Sequence, residues 1–202
     1  MTKKFDTPYP DYDVLAKWET PSWNEQTRKV VARRLHEVPE RRFFTLAEWE
    51  LLEAIVGRLL PQPDRGDHPV PIVPWIDRQL EEDIGEGYRF LDMPPAREAW
   101  RLGLAGVEEE SVARHSRRFA ELAPSLQDQL LRAVQQGEIS SGLWERLPSR
   151  RFFTLLLKSV VAIYYSHPLA WSEIGFGGPA SPRGYVRLGF DQRDPWEAAE
   201  RP

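Results

Sequence analysis

Apolar residues recur at three- and four-residue intervals along most of this chain, and strand-type alternation is weak everywhere, so the pattern predicts an all-α protein. Trp23, Val30, Val31 and Leu35 mark a first helix over about 23–36, with Ser22 and Glu25 at capping-box spacing and Pro39 beyond its end. A second capping box, Thr45 to Glu48, opens a stronger helix. Leu46, Trp49, Leu52, Val56 and Leu59 lie along one face of it, and Pro61 stops it. Ile72, Trp75, Ile76 and Leu80 predict a short amphipathic helix ended by Gly85 and Gly87. Asp92, Pro94 and Pro95 start another, running to about His115. Pro124 opens a further helix, with Leu126, Leu130, Leu131 and Val134 inward and Gly137 as its C-cap residue. The segment from Phe152 to Tyr165 is apolar nearly all round, the mark of a central, surrounded helix.

The two ends differ from this body. Residues 6–13 hold Pro8 and Pro10 and predict an extended arm. Residues 171–190 carry five glycines, two prolines and four aromatics, which is too irregular for a helix and too aromatic for a disordered tail. The expected architecture is therefore a compact irregular helical bundle with a central apolar helix. Residues 1–42 form an arm and accessory helix, 43–170 the helical core, and 171–202 an irregular C-terminal tail. The hexapeptide RRFFTL occurs at 41–46 and again at 150–155, but the flanks diverge at once and the match is read as chance.

Composition narrows the function. The chain has 18 prolines and 8 tryptophans in 202 residues, a balance of stiff loops and spare aromatics suited to holding a partner. With 27 basic against 31 acidic residues the net charge is −4, which offers no phosphate-neutralising surface, so nucleic acid is not expected as a partner. Cysteine is absent, which removes disulfides, thiolate nucleophiles and cysteine metal sites. No apolar run follows Lys3 and Lys4, and the longest apolar stretch is too short for a bilayer and includes Lys158. The expectation is a cytoplasmic chain without direct membrane insertion, periplasmic only if exported with a partner.

Candidate chemistry is thin. His36, His68, His115 and His167 are widely separated and lack metal-ligand spacing, so surface or capping roles are expected. The runs Glu81-Glu82-Asp83 and Glu108-Glu109-Glu110 read as solvated helix faces. Gly175-Phe176-Gly177-Gly178 lacks the GxGxxG spacing and follows no strand. No GxSxG elbow is present. No catalytic, cofactor-binding or metal-binding residue is nominated. The C-terminal segment remains, with two readings open: a clasp across another protein, anchored by Trp171, Phe176 and Tyr185 with Arg183 as a polar contact, or a tail folded over the chain's own helices.

Five segments, FFTLAEWELLEAIVGRLLPQPD (43–64), VPIVPWIDRQL (70–80), FAELAPSLQDQLLRAV (119–134), RFFTLLLKSVVAIYYSHP (151–168) and WSEIGFGGP (171–179), follow in an order that resembles the gluconate 2-dehydrogenase subunit 3 family. The resemblance implies a non-catalytic, cofactor-free small subunit that helps a large partner mature and stay folded. That partner would be an FAD-dependent oxidoreductase of the glucose-methanol-choline class oxidising a sugar or alcohol, with a cytochrome c subunit in some complexes. Family members often begin with a twin-arginine signal, which this chain does not show, and residues 6–42 extend beyond the family core. The residues expected to meet the partner are Tyr9, Tyr12, Trp18, Trp171, Ile174, Phe176, Gly177, Gly178, Pro179, Arg183, Tyr185 and Phe190, with the two ends ordering on it. The competing readings are a self-associating helical protein and an independent small enzyme.

Overall fold

The computed structural model describes residues 7–84, 90–139, 142–179 and 192–200. Among them are seven α-helices and no strand: α1 (Glu25–His36), α2 (Leu46–Leu59), α3 (Ile72–Glu81), α4 (Ala96–His115), α5 (Pro124–Gln136), α6 (Ser149–Ser166) and α7 (Pro168–Trp171). Short 3-10 turns lie at Val14–Lys17, Phe119–Glu121, Gly142–Glu145 and Ser172–Ile174. The all-α expectation holds. Gly85 and Gly87, expected to stop α3, lie outside the described residues. Among the described residues no single helix is long and apolar enough to cross a membrane; only α6 taken together with Pro168–Ile174 reaches that apolarity.

The chain divides into two units, Pro39–Gln62 with Pro71–Ala162, and Met1–Val38 with Pro63–Val70 and Ile163–Pro202. In the first, α2 packs on α3, α4 and α5. Its start is fixed as the sequence predicts: Thr45 Oγ1 accepts from the Glu48 amide, and Glu48 accepts from the Thr45 amide. Such reciprocal capping satisfies two otherwise orphaned donors, worth about 1 kcal/mol each. Leu52 and Ile55 are fully buried, while Leu46, at the first helical position, points to solvent, contrary to its expected place on the inner face. The reason is positional: one turn of capping residues holds the helix start at the surface.

The core of this unit is a line of aromatic rings. Phe44, Trp100 and Phe152 meet edge to face at 6.1 and 6.0 Å between centroids, and Trp144 tilts against Phe152 at 5.9 Å. Each such pair adds roughly 0.5–1.5 kcal/mol to the burial of its rings. Both RRFFTL copies thus deliver phenylalanines to one core, although one copy is a turn leading into α2 and the other is helix. Below that turn sits Asp77 of α3, with no solvent exposure, accepting from the amides of Arg42 (2.7 Å), Phe43 (3.1 Å) and Phe44 (2.8 Å). A buried carboxylate is tolerable only when satisfied in this way.

Helix α6 is the apolar helix the sequence marks. Phe152, Leu156 and Val160 are fully buried on one face. It is not surrounded, however: Leu157 and Val161 are each 38% exposed. All-round hydrophobicity shows that a helix face could be covered, whereas the number of neighbouring elements decides whether it is.

Candidate partner-binding surface

The second unit is built where the two ends of the chain meet. Its apolar centre is Val14, Trp23, Val31 and Trp171, with Tyr12, Leu15, Trp18 and Leu35 packed around them. Helix α1 is capped by Asn24, whose side chain accepts from the Thr27 amide. The Ser22–Glu25 capping box expected from spacing is therefore not the one used. Ser22 lies in the preceding turn, donating its amide to Thr20 Oγ1. Trp18 and Trp23 pack edge to face at 6.0 Å, and Arg28 donates to both of their carbonyls, which fixes the turn between the arm and α1.

Helix α7 brings the C-terminal segment to this centre. His167 starts it, its Nδ1 accepting from the Leu169 amide, so the capping role expected of an isolated histidine is realised here. Its Nε2 is buried and finds no hydrogen-bond partner among the described residues. Burial holds the ring's pKa down, to about 4, and the neighbouring Arg65 and Arg34 charges push the same way. Trp171 follows, 2% exposed, its Nε1 donating to the Tyr165 carbonyl at 2.9 Å and its ring against Phe176 at 5.4 Å.

Polar ties then lock the arm to this segment. Thr7 donates to the Glu173 carbonyl, and the Val14 amide to Ser172 Oγ at 3.1 Å. Lys17, 2% exposed, donates to the Gly177 carbonyl and to Glu197, both at 3.0 Å. Glu173 in turn accepts from the Tyr164 hydroxyl at 3.0 Å and pairs with Arg65, whose guanidinium also donates to that hydroxyl and to the Leu169 carbonyl. Burial raises the Tyr164 pKa, with the Arg65 hydrogen bond opposing, so the hydroxyl stays a donor to Glu173. Two glycines make the close approach feasible. Gly175 has φ +65° and a Cβ there would stand 2.6 Å from the Tyr9 ring; Gly178 has φ +74° and a Cβ there would stand 2.8 Å from Trp23.

The residues nominated from sequence are thus largely brought together. Tyr9, Tyr12, Trp18, Trp171, Ile174, Phe176, Gly177, Gly178 and Pro179 all belong to this unit. Their surfaces are used differently. Trp171 and Gly178 are buried inside the unit, and Tyr12 and Trp18 are half-buried against its centre. Burial raises the Tyr12 pKa further, with the Glu197 and Asp13 charges adding to it. Tyr9 donates from its hydroxyl to Glu200 at 3.0 Å. Ile174 and Phe176 keep 45% and 39% of their surface exposed. Arg183, Tyr185 and Phe190 lie outside the described residues. For Trp171, of the two readings left open, the fold over the chain's own elements is the one realised.

Sequence reasoning passed over Lys17, Arg65 and Glu173. One signal was available: a lone lysine between Val14, Leu15 and Trp18 in an otherwise apolar turn. The acidic run at 81–83 lies exposed as read, whereas Glu108 and Glu110 of the second run are half-buried, and Glu108 also accepts from the Phe119 amide. Glu81 and Glu82 pair with Arg97 and Arg78, while Glu108 and Glu110 pair with Arg118 and Arg114. Among the described residues no three His, Asp or Glu side chains are grouped to hold a metal ion.

The family profile described as gluconate 2-dehydrogenase subunit 3 matches residues 46–178, from the first residue of α2 to Gly178. Comparison with curated proteins and with solved structures returns no match. The chain belongs to the gluconate 2-dehydrogenase subunit 3 family.

Proposed function

We propose that this chain is a non-catalytic accessory subunit that binds and stabilises a large FAD-dependent dehydrogenase of the glucose-methanol-choline class, which carries the flavin and oxidises a sugar or alcohol. The family match over residues 46–178 carries the reading, since it names a subunit of a gluconate dehydrogenase complex. The packing of both chain ends supports it. The arm and the segment 171–179 are tied by side-chain hydrogen bonds into one unit that presents Ile174 and Phe176 to solvent. A surface whose parts are already tied to one another, rather than ordering only on the partner as the sequence suggests, loses little conformational freedom on docking, so more of its contact energy is realised as affinity. Burial on the folded partner alone would stabilise that partner by mass action. This chain contributes no cofactor in this reading, and a cytochrome c subunit would receive the electrons where one is present.

The test is purification of the tagged chain from its host, with the eluate scanned for flavin absorbance and the co-purifying protein identified. A stoichiometric flavoprotein is the expected result. A colourless eluate holding only this chain, as a monomer or as a self-associated species, would reject the reading.

A further inference from the structure

A cavity of about 180 Å³ lies within the larger unit, between α3, the entry to α4 and α6. Its floor is Ile76, Leu80, Met93, Ala99 and Trp100, each no more than 8% exposed. Phe90 stands at the rim, fixed by the Arg151 guanidinium 4.0 Å from its ring centre, and Arg151 is itself anchored on Asp92 at 3.2 Å. Apolar cavities of about 150 Å³ stay dry and take up a single aromatic ring. Filling such a space restores packing partners to the lining atoms, which is a gain in stability as well as in binding. The lining suits a flat ring better than an aliphatic chain. The Trp100 and Phe90 rings offer edge-to-face contact, and the Met93 thioether offers sulfur–aromatic contact. The lining contains no carboxylate, and Lys158 is already engaged within the chain, so a charged ligand group has no counter-charge there. Its other polar members are neutral: Gln79, Thr154 and Ser159. Thr154 Oγ1 donates to the Arg150 carbonyl at 2.9 Å, which leaves its lone pairs to accept from a ligand.

We infer that this cavity binds a small, neutral, single-ring aromatic molecule carrying a hydroxyl or N–H donor, which Thr154 accepts. The burial of the floor favours a free molecule over another protein. A broad protein surface does not reach residues so little exposed, whereas a single ring passing Thr154 and Phe90 does. The site lies wholly within this chain, so it stands or falls independently of the proposed flavoprotein partner.

Met93 is the one methionine besides Met1, so a carbon-13 label on the methionine methyl reports on the cavity floor in the full-length chain. The probes are p-cresol, toluene, cyclohexanol and N-acetyltyrosinamide. Expected is a saturating shift of the Met93 methyl with p-cresol at a Kd below about 1 mM, and binding of toluene roughly fivefold weaker. Thr154→Val keeps the shape and removes the acceptor, so it should bring p-cresol down to the level of toluene and leave toluene unchanged. Ala99→Leu fills the floor and should abolish both while raising the melting temperature. If that variant fails to fold, Thr154→Val with the p-cresol and toluene pair still decides. Absence of a saturating shift with p-cresol overturns the site, as does undiminished p-cresol binding in a folded Ala99→Leu protein. Cyclohexanol binding as tightly as p-cresol overturns the aromatic ligand. N-acetyltyrosinamide binding as tightly as p-cresol overturns the free molecule and assigns the cavity to a side chain of another protein.

Discussion

The Lys17 ammonium, 2% exposed, donates to the carbonyl of Gly177 across 160 positions of sequence. Its second partner is Glu197, so three separate stretches of the chain converge on one cation. A buried lysine is costly unless paired, and here the pairing is what joins the arm to the C-terminal segment.

Replacing Lys17 by Met keeps the aliphatic bulk and removes both hydrogen bonds. Glu197 is partly exposed and can rehydrate, so the expected loss is about 1–2 kcal/mol, mainly from the Gly177 carbonyl left without its donor. Thermal melting measures the loss. Hydrogen exchange should quicken in residues 7–20 and 171–179 and stay unchanged in α2. Equal exchange at both places would show that Lys17 does not hold the ends together.

Alanine at the two tail glycines should separate geometry from chemistry. Gly178→Ala places a methyl group against the buried Trp23 and Trp171 rings in a left-handed backbone, and about 2–4 kcal/mol of destabilisation is expected. Gly175→Ala meets only the Tyr9 ring, which lies nearer the surface and can swing away, so roughly 1 kcal/mol is expected. The reverse order in a urea titration would contradict this packing.

Asp77 should be among the least replaceable residues of the larger unit. Asp77→Ala strips the acceptor from three amides at the entry to α2, and about 3 kcal/mol or more should be lost. Asp77→Asn keeps the shape and one acceptor oxygen and should cost clearly less. Similar denaturation midpoints for the two variants would refute the role assigned to the carboxylate.

Acid should weaken the fold through His167. Its folded pKa of about 4 lies below the ordinary histidine value of about 6.5, so the folded ring stays neutral while the unfolded ring takes up a proton. Stability is complete above about pH 6.5 and falls as pH drops toward 4, where the folded ring also protonates. The shift corresponds to about 3 kcal/mol. His167→Asn retains a capping side chain without titrating there. Its melting temperature should vary less between pH 6.5 and 4 than that of the unsubstituted chain; parallel curves would exclude His167 as the cause.

Local elements were legible because their causes are local. Thr45 with Glu48, Pro124 and Gly137 each act within one helical turn, and each does what its spacing predicts. Ser22 with Glu25 has the same spacing and fails, because Asn24 supplies a closer acceptor for the free amides. Within the nominated surface, sequence could not separate Trp171, buried in its own unit, from Phe176, which keeps an exposed face. Both are aromatic residues in one irregular stretch.

The sequence by itself determined the helices, the absence of cysteine chemistry and the kinship of residues 46–178, since periodicity, composition and ordered motifs are properties of the chain alone. Only the tertiary structure decided that Lys17 meets Gly177, that Asp77 holds the turn before α2, and that α6 keeps Leu157 and Val161 uncovered. Those outcomes depend on which distant elements arrive beside each side chain. Burial and partnering are set by that arrival, and no spacing along the chain encodes it.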